Sequence, residues 1–155
     1  MVLKERQWYS YTGVIGISRD RGLQTICREG QKLPPVVFLA GPTLMPVGEA
    51  PLGSCGPTSV SRMLPFLETM KQLGTHLVIA KGTNSEVIRA FKQFSLAYGI
   101  AVGGAGAFYG TKIKQVLNKK YECLGAEGFF LVVVEELTFY VSVGGDVDGH
   151  FEPIP

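Results

Sequence analysis

Apolar residues along this chain follow two rhythms, short unbroken runs and helical spacings, which alternate through its middle. Tyr11 to Ile17 (YTGVIGI) is apolar and β-branched and predicts a strand. The charged cluster from Ser18 to Gly22 reads as a turn closing it, and residues 28–34 as a polar connection. Pro35 to Ala40 (PVVFLA) is a second strand, broken by Gly41-Pro42-Thr43. From Leu44 to Gly53 the prolines and glycines demand a loop. Val60, Met63, Phe66, Leu67, Met70 and Leu73 then recur at helical spacing, with Pro65 dividing the run into two helices and Gly74 ending it. His76 to Ala80 reads as a buried strand. Thr83 and Glu86 form a capping box for a helix burying Val87, Ile88, Phe91 and Phe94.

Residues 97–102 return to strand character before the small run Gly103-Gly104-Ala105-Gly106. Phe129 to Val134 and Phe139 to Val143 read as two strands joined by a hairpin-like link over Glu135 to Thr138. The first ten residues show no period, and Gly144 to Pro155 reads as a tail with little order. Helices and strands alternating in the middle, with strands crowding both ends, predict an α/β domain. Its central sheet is mixed, partly parallel, and flanked by helices. Nothing repeats and no linker divides the chain, so one domain over residues 1–155 is expected.

Composition narrows the function classes. Hydrophobic residues make up 46% and charged residues 18%, which supports a packed core. A net charge of +2, with no basic run interleaved with aromatics, gives no footprint for nucleic acid. The longest apolar runs are strand-length, so no membrane span is expected, and charges between Lys4 and Tyr11 exclude a signal-peptide core. Cys27, Cys55 and Cys123 are odd in number and widely spaced. They argue against a disulfide framework, and no CxxC or CxH pairing makes a metal site of them. Free buried thiols in a reducing, cytoplasmic compartment are the expectation.

Candidate chemistry concentrates in Gly53-Ser54-Cys55-Gly56-Pro57-Thr58-Ser59-Val60-Ser61-Arg62-Met63. Gly56 permits a tight turn, and Pro57 suits the first position of a helix. The free N–H groups of Thr58 and Ser59 then make an anion site at the helix N-terminus, with Arg62 one turn further on the same face. An ordinary capped helix is the competing reading of the same residues. The glycines after residue 102 invite a dinucleotide fingerprint, but the third glycine of GxGxxG falls on Tyr109, and no Walker lysine is present.

Four segments in order, GSCGPTSVSRM, VIAKG, YGIAVGGAGA and YECLGAEG, resemble the beta subunit, or C-terminal domain, of the iron–sulfur class I fumarate hydratases and L(+)-tartrate dehydratases. The resemblance runs from about Tyr11 to Val143. It implies a swivelling β/β/α fold and a hydro-lyase that interconverts malate and fumarate or dehydrates tartrate to oxaloacetate. It implies a [4Fe–4S] cluster held by a partner alpha subunit, with none bound by this chain. The assembly would be a hetero-oligomer, with room for homodimeric contacts. On the family's motifs Thr58 matches the proposed general base, Arg62 and Arg19 match substrate-binding arginines, and Lys81 matches a lysine following a strand. A dicarboxylate needs cations at both ends, and arginine can grip a carboxylate bidentately. The family's RDAAH reads Arg19-Asp20-Arg21-Gly22-Leu23 here, so leucine stands in the histidine position, and the second threonine of GPTT is Ser59. The alternative reading is a diverged, non-catalytic module that binds dicarboxylates or docks a partner.

Overall fold

A computed structural model describes residues 1–44, 51–102 and 105–155. The expected glycine pair Gly103-Gly104 and most of the expected loop before Gly53 lie outside the described residues. In chain order the elements are β1 (Val2–Leu3), β2 (Trp8–Ser18), α1 (Asp20–Glu29), β3 (Val36–Pro42), β4 (Cys55–Pro57), a 3-10 helix (Ser61–Phe66) and α2 (Leu67–Gln72). There follow β5 (Leu77–Ala80), α3 (Ser85–Gln93), β6 (Ala97–Ile100), α4 (Gly106–Gly110) and β7 (Ile113–Lys120). A second 3-10 segment (Glu122–Glu127), β8 (Phe129–Val143), β9 (Gly145–Asp146) and β10 (His150–Ile154) complete it. The mixed α/β class with a central sheet and flanking helices is as expected.

Strands β2, β3, β5 and β6 run parallel, each beside the next. β8 is antiparallel both to β6 and to β2, which closes these five strands into a ring. β7 adds to β8, and β10 adds to β2. Side chains alternate across the pleat, so the two faces of the sheet fill two cores. Val36, Phe38 and Ala40 of β3, with Leu77 and Ile79 of β5, join Ile15, Ile17, Val132, Val134 and Phe139 inside the ring. Val37, Leu39, Val78 and Ala80 face outward onto Leu23 and Ile26 of α1, Met63, Met70 and Phe91.

The structure corrects several expectations. The charged stretch after Ser18 is no turn: Asp20 opens α1, a ten-residue helix whose Leu23, Ile26 and Cys27 are buried. It ends at Gly30 in a left-handed conformation (φ 68°) that donates back to Cys27 and Ile26 carbonyls. The two strands expected over residues 129–143 are one strand of 15 residues. Its exposed Glu135 and Glu136 mark a bulge, not a hairpin. Glu136 takes φ 54°, and its N–H donates to the Thr12 hydroxyl at 3.0 Å. Thr12 is the β2 residue skipped in the pairing with β8, so the irregularity is hydrogen-bonded and the strand continues past it. The tail is ordered: β10 pairs with β2 over five residues and buries Phe151 against Tyr11.

Two helix details also shift. The break near Pro65 is present, but Pro65 lies inside the 3-10 helix and α2 starts at Leu67. The cap of α3 is Asn84, whose Oδ1 accepts from Val87 N–H at 2.9 Å, one residue after the expected Thr83.

Candidate functional site

A cleft of about 620 Å³ opens at the carboxyl ends of the parallel strands. This is where parallel sheets place ligands, because the strands end there and the connecting segments splay apart. Arg19 follows the last residue of β2, Gly41 lies near the end of β3, and Lys81 follows the last residue of β5. Thr58 and Ser59 come from the segment just after β4, and Arg62 from the 3-10 helix. Arg19, Thr58, Arg62 and Lys81, singled out from the sequence, therefore line one cleft although Lys81 lies 62 residues after Arg19.

The local fold differs from the expected helix N-terminus. Cys55 to Pro57 form β4, antiparallel to β3, with Gly41 opposite Gly56 and Ala40 opposite Pro57. Proline is tolerated on this short edge strand. The Thr58 N–H is engaged by the Leu39 carbonyl at 2.9 Å, so it offers nothing to an anion. Helical structure begins only at Ser61. What the stretch supplies instead is backbone pairing. Lys81 N–H donates to the Thr58 carbonyl at 3.0 Å, and Val60 N–H donates to the Lys81 carbonyl at 3.3 Å. This tie sets the roots of Thr58 and Lys81 next to each other. The residue after Lys81 is anchored too, since the Tyr98 hydroxyl donates to the Gly82 carbonyl. Burial pushes that phenol well above its ordinary range, which keeps it a donor.

The charges divide unevenly. Arg62 is exposed, and one guanidinium nitrogen lies 3.4 Å from Asp20 Oδ2. Glu127, at the cleft margin, pairs with Arg21 at 3.2 Å. Both acidic groups of the cleft are thus already paired. Among the described residues Arg19 and Lys81 have no ion-pair partner, so they are the cations free to meet an anionic ligand. Thr58 is half-buried and lines the same cleft as these cations and Arg62. Cations near a hydroxyl lower the cost of negative charge on its oxygen.

Sequence reasoning missed Asp20, Gly41 and Glu127 as part of the cleft. Asp20 and Glu127 carry chemistry-bearing types, but their place is fixed by α1 and by the segment over 122–127, neither of which was visible as such. Leu23, in the histidine position of the family motif, does not line the cleft. It is fully buried in the outer core.

The cysteines do not converge. Cys27 sits in the outer core on α1, Cys55 in the ring core on β4, and Cys123 is exposed, which departs from the expectation of three buried thiols. Burial pushes the Cys55 thiol up to about 12 and the Cys27 thiol to about 11, against a smaller lowering by Arg28. Lying in two different cores, the two buried sulfurs do not form a common ligand set for an iron–sulfur cluster. Among the described residues no group of three His, Cys, Asp or Glu side chains is placed to hold a metal ion.

Comparison with known proteins adds the family. The family model described as Fumarase C-terminus matches residues 3–152. The chain belongs to that family. Its relatives include fumarate hydratase 1, mitochondrial, of Leishmania major, 31% identical over 160 residues, covering 94% of this chain and 28% of the relative. Fumarate hydratase class I, anaerobic, of Escherichia coli K12 is 29% identical over 156 residues, with coverage of 94% and 28%. Fumarate hydratase class I, aerobic, of Salmonella typhimurium is 30% identical over 156 residues, with 94% and 27%. The chain thus spans little more than a quarter of the length of these relatives. No described helix is long and apolar enough to cross a membrane.

Proposed function

We propose that the chain is the dicarboxylate-binding half of a hydro-lyase, the beta subunit to a cluster-bearing alpha subunit. The observation that carries this reading is the convergence of Arg19, Thr58, Arg62 and Lys81 on one cleft at the carboxyl ends of the strands. The family membership and the names of its relatives support the reaction class: addition of water to fumarate, and its removal from malate. L-tartrate, dehydrated to oxaloacetate, is the other diacid of matching chemistry.

In this reading Arg19 and Lys81 hold one carboxylate, having no ion-pair partner among the described residues. Arg62 takes the second by exchanging Asp20 for it. Thr58 Oγ1, in its alkoxide form, then takes the proton from the carbon next to that carboxylate, and the hydroxyl on the neighbouring carbon leaves with its bonding pair as the double bond forms. Arg62 bears the charge that develops there, an interaction stronger in the transition state than in the ground state. The three cysteines of this chain do not converge on a common ligand set, so the reading assigns the [4Fe–4S] group to the partner polypeptide and the assembly to the cytoplasm.

The test is anaerobic co-purification with a cluster-bearing alpha chain, followed by ultraviolet detection of fumarate from L-malate. Arg62→Ala should abolish turnover while leaving the unfolding midpoint nearly unchanged, because an exposed ion pair contributes at most about 1 kcal/mol. Retained turnover in that variant would overturn the assignment. One observation favours a second reading, a non-catalytic dicarboxylate-binding or docking module. The motif's histidine position is a core leucine, so no imidazole reaches the cleft from α1. A stable, cluster-loaded complex that binds malate without turning it over would select that reading.

A further inference from the structure

The cleft floor is a cross-strand pair of glycines, Gly41 on β3 opposite Gly56 on β4. Residues directly opposite in an antiparallel pair point to the same face, here the face that lines the cleft. The two glycines are not equivalent. A Cβ on Gly56 would meet nothing within 4 Å. A Cβ on Gly41 would lie 2.7 Å from Arg19 Nε, 3.0 Å from its Cδ and 3.1 Å from its Cζ. Those three atoms of one side chain are its nearest neighbours, and no backbone is among them. Neither glycine has a left-handed φ, so conformational freedom does not explain the residue type.

We propose that Gly41 is a positioning residue, its missing side chain forming the seat that holds the Arg19 guanidinium over the cleft. The functional consequence rests on the dicarboxylate-binding reading above; the seat itself does not. Arg19 needs such a device. Arg62 is held by Asp20, whereas Arg19 has no ion-pair partner among the described residues. Its root is fixed, since its carbonyl accepts from the Ser18 hydroxyl at 2.7 Å and from Leu23 N–H at 3.3 Å. The middle of the side chain is fixed by lying flat across Gly41. A guanidinium fixed by packing keeps all its donors for a ligand and loses less freedom when one binds. A methyl at position 41 can be accommodated only by swinging the arginine aside. Arg19 is exposed, so this swing costs the fold little.

Gly41→Ala in the full chain tests the seat directly. The readout is the side-chain Nε–H resonance of Arg19, assigned through Arg19→Lys. It should move or broaden in Gly41→Ala while the Arg62 resonance and the urea midpoint stay in place; an unmoved Arg19 resonance overturns the proposal. If Gly41→Ala itself destabilises the fold, adding Arg19→Ala should restore the midpoint, because the three atoms closest to the new methyl all belong to that side chain. Failure of the rescue also overturns it. Calorimetric titration with L-malate reads the consequence. Gly41→Ala and Arg19→Ala should each weaken binding by about ten- to a hundred-fold, the range for a lost charge-assisted contact. The double variant should be no weaker than Arg19→Ala, whereas multiplying losses would mean that Gly41 acts independently and would overturn the proposal. If Arg19→Ala leaves malate binding unchanged while Gly41→Ala still moves the Arg19 resonance, the dicarboxylate reading fails and the seat stands.

Discussion

Restoring a histidine at position 23 should damage the fold and leave the cleft without a gain. Leu23 has no exposed surface and packs in the outer core with Ile26, Met63 and Met70. Full burial of a leucine contributes about 1.5–3 kcal/mol, part of which an imidazole ring of similar size retains. The ring also brings two nitrogens into an apolar cluster, and each unpartnered buried polar atom costs about 1–3 kcal/mol. Together these put the loss in Leu23→His at about 3–5 kcal/mol, a large share of the about 5–15 kcal/mol that a domain possesses. With a urea slope of about 2 kcal/mol per M, the midpoint should fall by about 1.5–2.5 M. Equilibrium urea unfolding followed by tryptophan fluorescence and far-ultraviolet dichroism measures it. Leu23→Met, which conserves volume, should cost less than about 1.5 kcal/mol and serves as the control. A Leu23→His midpoint equal to that of the parent, or malate turnover raised in the complex, would refute the placement of this side chain in the core.

Other outcomes follow from single contacts. Gly56→Ala should raise stability by about 0.4–1 kcal/mol through the unfolded chain. The same methyl enters the cleft and should weaken malate binding, so thermal melting and titration should move in opposite directions. Asn84→Ala should cost about 1 kcal/mol by removing the cap on Val87 N–H, whereas Thr83→Ala should be near neutral in the same melting assay. Alkaline stability should decline as well. The Cys55 thiol is pushed up to about 12 in the folded chain, while an unfolded thiol ionises near about 8.5. Above that lower value the unfolded state binds fewer protons. The stabilisation is therefore fully present below it and lost as pH rises toward 12. Cys55→Ala should flatten the pH slope of the unfolding free energy, read from urea titrations, by up to about 1.4 kcal/mol per pH unit, whatever its effect at neutral pH.

The parts legible in the sequence are those whose signal is local. The runs that became β3, β5 and β6 are continuous and apolar because they are parallel strands buried on both faces. α3 showed its helical spacing because one face meets the core. α1 carries the same spacing at Leu23, Ile26 and Cys27, but Gly22 and three charges in its first turn and just before it read as a turn. Gly22 is there for contact, since a Cβ would run into the Glu127 carbonyl and Ser18 Oγ. β4 was misread as a helix start because Gly-Pro serves both an edge strand and a helix entry. Only the partner strand decides between them. β8 and β10 were obscured for the same reason: Glu135-Glu136 looks like a link until Thr12 is seen receiving the Glu136 N–H. The cleft's residue types were visible, yet the seat under Arg19 was not, because a glycine's role there is defined by what lies over it.

The dual pairing of β8 also constrains how the chain reaches this structure. Its partners in β2 lie more than a hundred residues earlier, from Trp8 opposite Tyr140 to Ser18 opposite Phe129. During synthesis, therefore, the ring stays open until the chain through Val143 has left the ribosome. The parallel strands β3, β5 and β6 can assemble early, but β2 and β6 keep unpaired edges until β8 arrives. Loop closure over that distance is paid before the contacts reward it, which places this topology among slow folders. The open form, with those edges unpaired, is the species most exposed to misassociation.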